Sequence, residues 1–400
     1  MGPIRITKVT PLLMQAGGPP YTSWGTSGSS HTTRSRNWMF VKVETDAGIT
    51  GWGEGSGWPK LAAAAITELG QVIAGEDATR IPRVLNKMLA AMLGHGDSGT
   101  PAGGAMAAID TALWDISAKA LGVPVWRLLG GKLRDRIPVY THAPTAKEAE
   151  PALKLGVRAL KTGGLIQGVP RALEMRRALG PEIDIAIDLH GPPWLSLADA
   201  RAACERLAEM HPLFVEEPIA EHDLDGYRAL RASTNVPLAG GERFGNPIAY
   251  APWLSSRVWD VVQPDTGRMG GISGLLKLGA AADVHGIAIA PHSGSLGPLA
   301  EVAAVHASAV LPNLLLLERM DPDWEGRNGA LPGGLRIVDG ALPVPDLPGL
   351  GAEPDEDFVR RNPSSINLGL PKGGGEPGTE DEFPVRQMRL QRARKFGAPG

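Results

Sequence analysis

Cysteine is almost absent from this chain. Cys204 is the only one in 400 residues, so no intrachain disulfide can form and a reducing compartment is the expectation. It lies in the helix-like stretch "LADARAACERLAEM" with no histidine beside it, and reads as core filler rather than a nucleophile. An excess of charge of one sign is missing too. Forty basic against 43 acidic residues leave a net charge of −3 and a pI near 6.3. With no basic stripe, nothing points to nucleic acid or to an anionic membrane. No apolar run approaches the roughly 20 residues of a membrane span. The opening "MGPIRITKVTPLLMQAGG" lacks the charged start and continuous apolar stretch of an export signal. A soluble cytoplasmic protein is the expectation.

What is present suits a large folded enzyme. The chain is 43% hydrophobic and 21% charged, enough for one large or two ordinary domains with real cores. Glycine (52) and proline (35) are abundant, which implies many loops. From about residue 366 the composition turns to glycine and charge, and the spacing predicts a flexible tail over 366–400. Its basic run "RQMRLQRARK" reads as solvated, with docking on a neighbouring subunit as the other reading.

Up to about residue 135, strand-like and helical patterns alternate. "MFVKVETDAGITGWGE" (39–54) reads as a hairpin around "DAG". The stretch before it, "GGPPYTSWGTSGSSHTTRSR" (17–36), is polar and aperiodic. It is expected to be a long loop, either a lid over a site or a mobile surface segment. Two helices follow, the second, "AMAAIDTALWDISAKALG", closed by Gly122 and Pro124.

From 137 onward, eight short apolar runs alternate with helical segments: "IPVYTHA", "RALKTGG", "IDIAIDLHG", "PLFVEEPI", "VPLAGGER", "WDVVQPDTG", "GIAIAPHSG" and "NLLLLERM". This texture implies parallel pairing, in a closed βα barrel or a doubly wound open sheet. Spacing favours the barrel. One polar residue near the end of each run from the second onward, Lys161, Asp188, Glu216, Glu242, Asp265, His292 and Glu318, recurs at intervals of 27, 28, 26, 23, 27 and 26 residues. Counting back by twos reaches Ala186, Gly240, Ala290 and Ala288, while Ile185, Ile187, Ile287 and Ile289 fall on the other face. Seven ionisable groups would thus converge on one barrel mouth.

Asp188, Glu216 and Glu242 come from successive strands, and three carboxylates at close range need a cation between them. An all-oxygen donor set suits Mg²⁺. Glu217, next to Glu216, has the wrong parity. Lys161 is placed to neutralise a substrate carboxylate. Asp265 and His292 end adjacent strands, where a carboxylate that fixes an imidazole makes a general base. His190 shares a face with Asp188 and lies across the mouth from His292. Two histidines flanking one bound acid suit removal of a proton at one carbon and protonation of a leaving group at the next, a β-elimination of water. Glu318, if its pKa is raised, would donate a hydrogen bond to the enediolate.

With these residues in place, the chain resembles the enolase superfamily, mandelate racemase group, and within it the sugar-acid dehydratases of the galactonate dehydratase kind. The likeness runs from about 4 to 362. It rests on "AIDTALWDISAKALGVPVWRLLGG" (108–131) and on "IDLHG", "FVEEP", "GGER", "QPDTGRMGGI" and "APHS" taken together. Enolase-superfamily sites pair a Lys or His base with Mg²⁺. The resemblance implies an α/β fold, a modified TIM barrel (β/α)7β with an α+β capping domain. The capping domain would span 1–130 and the barrel 131–335, with 336–365 returning to the cap. It also implies Asp188, Glu216 and Glu242 as metal ligands. His292 with Asp265 would take the C2 proton and His190 would protonate the departing 3-hydroxyl. Residues 17–36 would be the substrate lid. A homo-oligomer, often an octamer in the family, is implied as well.

Racemases of the group carry K-x-K on the second barrel strand. Here the stretch is "LKTGG", with Gly163 in the second lysine's place, which argues against racemisation. By the same resemblance, a base on the seventh strand implies a 2R aldonate. An epimerase or a lactone or anhydrosugar cycloisomerase is the alternative on the same scaffold, and a non-catalytic sugar-acid binding protein a third. Substrate choice would depend on 17–36 and on "HGDSGTP" (95–101), with Trp24, Trp58 and Trp324 as candidate wall residues.

Overall fold

A computed structural model describes residues 2–22, 32–93, 99–165, 167–191, 194–293, 297–319 and 325–364. Three antiparallel strands open the chain in the order β1 (Ile6–Thr22), β2 (Thr32–Thr45) and β3 (Thr50–Gly55). The hairpin expected over 39–54 is formed by β2 and β3, from Met39 opposite Gly55 to Glu44 opposite Thr50. Gly48 closes the turn at φ 73°, a left-handed position that costs glycine nothing.

The stretch 17–36 departs from the loop expected there. β1 and β2 continue as a ribbon to Thr22 opposite Thr32, with a register shift between Gly17 and Tyr21. Residues 23–31, the rest of the expected lid, lie outside the described residues. A two-stranded ribbon is held by main-chain hydrogen bonds, which need no apolar alternation, so sequence periodicity does not reveal it.

β3 shows how the sheet meets its helix. Gly51, Gly53 and Gly55 alternate along it, and a Cβ at each would stand 2.2, 1.9 and 2.1 Å from the carbonyl oxygens of Ala112, Ala108 and Gly104. These belong to the helix Thr100–Leu121. Glycine at every second position therefore lets this helix lie directly on the strand. Trp52, Glu54 and the following Ser56 occupy the opposite face, all buried.

The eight apolar runs all form strands of one parallel sheet: β4 (Arg136–His142), β5 (Ala159–Gly163), β6 (Asp184–Asp188), β7 (Val215–Glu216), β8 (Leu238–Gly240), β9 (Val261–Val262), β10 (Ala288–Ile289) and β11 (Leu317–Glu318). The order is β10-β9-β8-β7-β6-β5-β4-β11. Between its two ends, Ile289 bridges Leu314, and Ile289 also accepts from the Leu315 amide, so the sheet curls into a barrel. β12 (Ala341–Pro343) pairs antiparallel with β4.

Helices ring the barrel, several begun by local signals. Ser196 accepts from the Asp199 amide at one N-terminus and Thr145 from the Glu148 amide at another. The barrel interior is filled by Tyr140, Ala159, Ala186, Phe214, Ala239, Val261 and Ala290, while Ile185, Ile187, Ile287 and Ile289 pack under the helices. Strand β8 breaks the expected parity. Ala239 faces inward, and a Cβ on Gly240 would strike the Trp259 ring at 2.8 Å. Gly241, at φ 109°, turns the chain before Glu242 and shifts the phase by one.

After β12 the chain returns to the first sheet. Lys42 on β2 pairs with Glu356 at 2.8 Å, Met14 bridges Pro363, and the Gln15 amide donates to Asn362. The tail expected over 366–400 lies outside the described residues. Among the described residues no helix is long and apolar enough to cross a membrane.

Candidate active site

The strand-end residues meet at one mouth, and each reaches its neighbours across strands. Lys161 Nζ lies 2.8 Å from Glu216 Oε2, 2.7 Å from Glu318 Oε1 and 3.7 Å from Asp188 Oδ2. His190 Nδ1 stands 2.5 Å from Asp188 Oδ1. His292 Nε2 lies 2.7 Å from Glu242 Oε2, and its Nδ1 lies 2.9 Å from Asp265 Oδ2. His190 and His292 therefore each contact a different member of the three-carboxylate group. The phase rule placed all of these residues on the same side of the sheet, and Glu242 arrives there despite the shift in β8.

Burial and neighbouring charge set the protonation states. Burial pushes the Glu216 carboxyl up to about 8, with Asp188 adding to the rise against Lys161. Burial acts on Asp188 in the same direction, but His190 and Lys161 hold it down to about 2. His292 loses its burial penalty to the charges of Glu242 and Glu318 and is raised to about 10. Lys161 is likewise kept charged by Glu216 and Glu318 against the cost of burial.

The expectation for Glu318 is corrected here. Burial alone would raise its pKa, but Lys161 and His292 outweigh burial and hold it well below the usual carboxylate range. It accepts from Lys161 and from the Ser293 amide at 2.7 Å, and His142 Nε2 stands 2.5 Å from Oε1. In this structure Glu318 is an acceptor surrounded by donors, and the raised pKa on which donation depends is not found.

Several site residues escaped the sequence reading. His142 ends β4 on the same face as Tyr140. The two-residue rule, applied one strand earlier, would have reached it. Gln263 donates through Nε2 to Glu216 Oε2 at 2.9 Å, two positions before Asp265 and in the same phase. Arg243 Nε bonds Glu217 Oε2 at 2.8 Å, and its Nη2 lies 3.3 Å from Glu242. Glu217, excluded by parity, is fully buried beside the site because its backbone turns to φ 41°. Ser56, from the first sheet, donates to Asp265 Oδ1 at 3.3 Å. No sequence signal marks Ser56, because its partner lies 209 residues away along the chain, whereas Arg243 follows Glu242 directly in "GGER" and that adjacency could have found it.

Gly163 has a steric reason. A Cβ there would stand 2.3 Å from the Asp188 carbonyl oxygen. A lysine at this position would therefore displace the backbone of a strand-end carboxylate.

A cavity of about 440 Å³ opens between the first sheet's region and the barrel, lined by Asn37, Trp58 and Thr100 on one side and by Arg243 and Arg268 on the other. Trp58 is half-exposed there, in the left-handed region at φ 63°. A bulky residue held in that conformation stores strain, which clusters at functional sites. Trp24 and Trp324 lie outside the described residues, as do 95–98 of the "HGDSGTP" segment.

The donor set suits a hard divalent cation. Asp188, Glu216 and Glu242 offer only oxygen, and Glu216 Oε1 is buried with no hydrogen-bond partner. An uncompensated buried carboxylate oxygen is what a cation would satisfy. Among the described residues no three acidic or histidine side chains already stand together as a finished metal shell. Lys161, His190 and His292 hold the carboxylates individually instead.

A parallel barrel with acids, a lysine and two histidines at its strand ends, beneath an antiparallel sheet, defines a barrel enzyme. Residues 144–358 match the family described as "Enolase C-terminal domain-like", and 20–130 match "Mandelate racemase / muconate lactonizing enzyme, N-terminal domain". The chain belongs to the enolase superfamily, mandelate racemase group. It is 36% identical over 350 residues to a D-galactonate dehydratase from Xanthomonas oryzae pv. oryzae, covering 81% of this chain and 90% of that one. Among solved structures it resembles a member of the enolase superfamily from Polaromonas sp. JS666, with TM-score 0.82 and 31% identity over 91% of this chain and 98% of the other. It also resembles the 3,6-anhydro-D-galactonate cycloisomerase from Zobellia galactanivorans, with TM-score 0.79 and 26% identity over 90% of this chain and 100% of that one.

Proposed function

We propose that this chain is a Mg²⁺-dependent acid-sugar dehydratase that converts an aldonate, of 2R configuration, into a 2-keto-3-deoxy sugar acid. The observation that carries the reading is the pair of histidines. His190 and His292 contact Asp188 and Glu242 respectively, so they flank the carboxylate group from two sides. Dehydration needs one base and one acid placed in this way, and the similarity to D-galactonate dehydratases supports it.

Asp188, Glu216 and Glu242 would hold the metal. When bound, Mg²⁺ supplies positive charge against the substrate carboxylate and lowers the cost of the enediolate. His292, fixed at Nδ1 by Asp265, would take the C2 proton at Nε2 in its neutral form, which it reaches when Glu242, whose charge raises it here, serves as a ligand instead. His190 delivers a proton to the 3-hydroxyl as the C3–O bond breaks. Water leaves, and the resulting enol becomes the 2-keto acid. Lys161 keeps a charge beside the substrate carboxylate, and Glu318 holds Lys161 in place.

The same reading divides the chain into a cap of 1–130, a barrel of 131–335 and a segment of 336–365 that returns to the cap. It also implies a cytoplasmic homo-oligomer, an octamer by family habit. A cycloisomerase is the second reading, supported by the likeness to the 3,6-anhydro-D-galactonate enzyme. That reaction would use the same base but return the proton while an internal oxygen moves.

A screen of purified protein with Mg²⁺ against hexonates, pentonates and aldarates tests both. A 2-keto acid with loss of water, detected with semicarbazide and by mass, is the expected result. A mass-neutral change in place of it would overturn dehydration in favour of isomerisation.

A further inference from the structure

The alternation of β3 sends three residues away from the helix Thr100–Leu121, and two of them reach the barrel at either end of the base dyad. Glu54 Oε1 accepts from the Gly297 amide at 2.6 Å, and Oε2 accepts from the amides of Leu299 and Ala300 at 2.9 and 3.0 Å. These amides open the helix Pro298–Val310, which follows His292 and Ser293. A Cβ on Gly297 would stand 2.1 Å from Glu54 Oε1, so glycine is required where the carboxylate arrives. Two residues on, the Ser56 amide donates to the Gly267 carbonyl at 2.7 Å, and the Ser56 hydroxyl donates to Asp265.

We infer that Glu54 is a positioning residue for the base: a carboxylate from the first sheet that anchors the chain just beyond His292 and thereby fixes the imidazole against Asp265. The inference rests on the reading of His292 as the base. Three arguments support it.

The contact is fully enclosed, with Glu54 only 1% exposed. A lone carboxylate is a costly means of joining two layers, and an apolar residue would join them at lower cost. Three amides aimed at two oxygens instead fix the helix start in position and direction, as a carboxylate at a helix N-terminus does. Next, the chain leading into this helix is tied at its other end to the site. Ser293 donates its amide to Glu318 Oε2 and its hydroxyl to the Glu318 carbonyl at 2.5 Å. Finally, Ser56, the residue after β3 on the same face, holds Asp265, so this face ties down one partner of the dyad directly and the helix start beyond the other. The partners of Glu54 are backbone amides of the helix start, and the effect on the imidazole is mechanical.

The test uses full-length protein with Glu54→Gln, which keeps the shape but places an amide N–H₂ against backbone donors. Hydrogen exchange read by mass spectrometry on peptides covering 290–305, without substrate, should rise in the variant while peptides from β5 and β6 stay protected. With the substrate found by screening, kcat per folded site should fall on the order of 100-fold, as a displaced group costs, with KM within about threefold. Unchanged kcat despite faster exchange would reduce Glu54 to a structural tie and overturn the inference. Unchanged exchange would overturn the anchor itself. Should the wild-type protein dehydrate nothing, the proposed function fails and the catalytic half of the inference falls with it. The exchange contrast would then still decide whether Glu54 anchors the helix.

Discussion

Asp265 Oδ2 lies 2.9 Å from His292 Nδ1, and the two residues also pair as a parallel bridge just beyond β9 and β10. Backbone and side chain therefore hold one geometry twice, and they aim Nε2 at the carboxylate group, 2.7 Å from Glu242 Oε2. His292→Asn should abolish exchange of the substrate C2 proton in D₂O while Mg²⁺ binding, followed by calorimetry, persists. Asp265→Asn should lower kcat by about 10²–10⁴-fold, the usual worth of an oriented base. Wild-type exchange rates in His292→Asn would show that another group is the base.

His190 stands 2.5 Å from Asp188, so it is either the acid for the leaving hydroxyl or a support for a metal ligand. These roles separate in one variant. His190→Asn should stop dehydration yet still permit C2 exchange, since the first proton transfer uses the opposite histidine. Loss of both activities together with weakened Mg²⁺ binding would assign the support role.

A pH effect on stability should come from His306, far from the mouth. Its Nδ1 accepts from the Trp126 amide at 3.2 Å, and Nε2 faces the Leu350 carbonyl at 3.0 Å. A second ring proton would meet the Trp126 N–H, and burial lowers the pKa to about 4. The unfolded chain, with an ordinary histidine near 6.5, binds more protons between pH 6.5 and 4. The stabilisation is present above 6.5 and is lost as pH falls toward 4, by up to about 3 kcal/mol. Melting at pH 7.5 and 5.0 should show a larger loss for wild type than for His306→Gln. Equal losses would place the titration elsewhere.

Glu301 bonds two arginines in a buried cluster, with Oε2 3.1 Å from Arg319 Nε and Oε1 2.5 Å from Arg327 Nη2. Glu301→Gln keeps the volume and removes the charge that faces both guanidinium groups. Stability should drop by about 3–5 kcal/mol, the cost of breaking a buried pair from one side. The urea midpoint should fall with the slope unchanged. A shift below about 1 kcal/mol, within the range of surface pairs, would mean that water or another anion compensates.

Much of the site was legible because it follows a local rule. Side chains two apart on a strand share a face, so Asp188, Asp265 and His292 could be placed at the mouth from their phase alone. The rule failed where backbone angles break it. Gly241 shifts the phase on β8, and Glu217 turns inward at φ 41°. Over 17–36 the sequence suggests a loop, because a paired ribbon need not bury one face.

The amino-acid sequence by itself determined the barrel, the seven strand-end groups and the all-oxygen character of the candidate metal site, since periodicity and spacing are properties of neighbouring residues. Only the tertiary structure decided which charges meet. Glu318 accepts rather than donates because Lys161, His142 and the Ser293 amide converge on it from three different segments. Likewise, Glu54 meets the Gly297 amide and Ser56 meets Asp265 across more than 200 residues of chain. Hydrogen bonds and charge interactions act through space, and no pattern along the chain records which distant residue folding will bring within 3 Å.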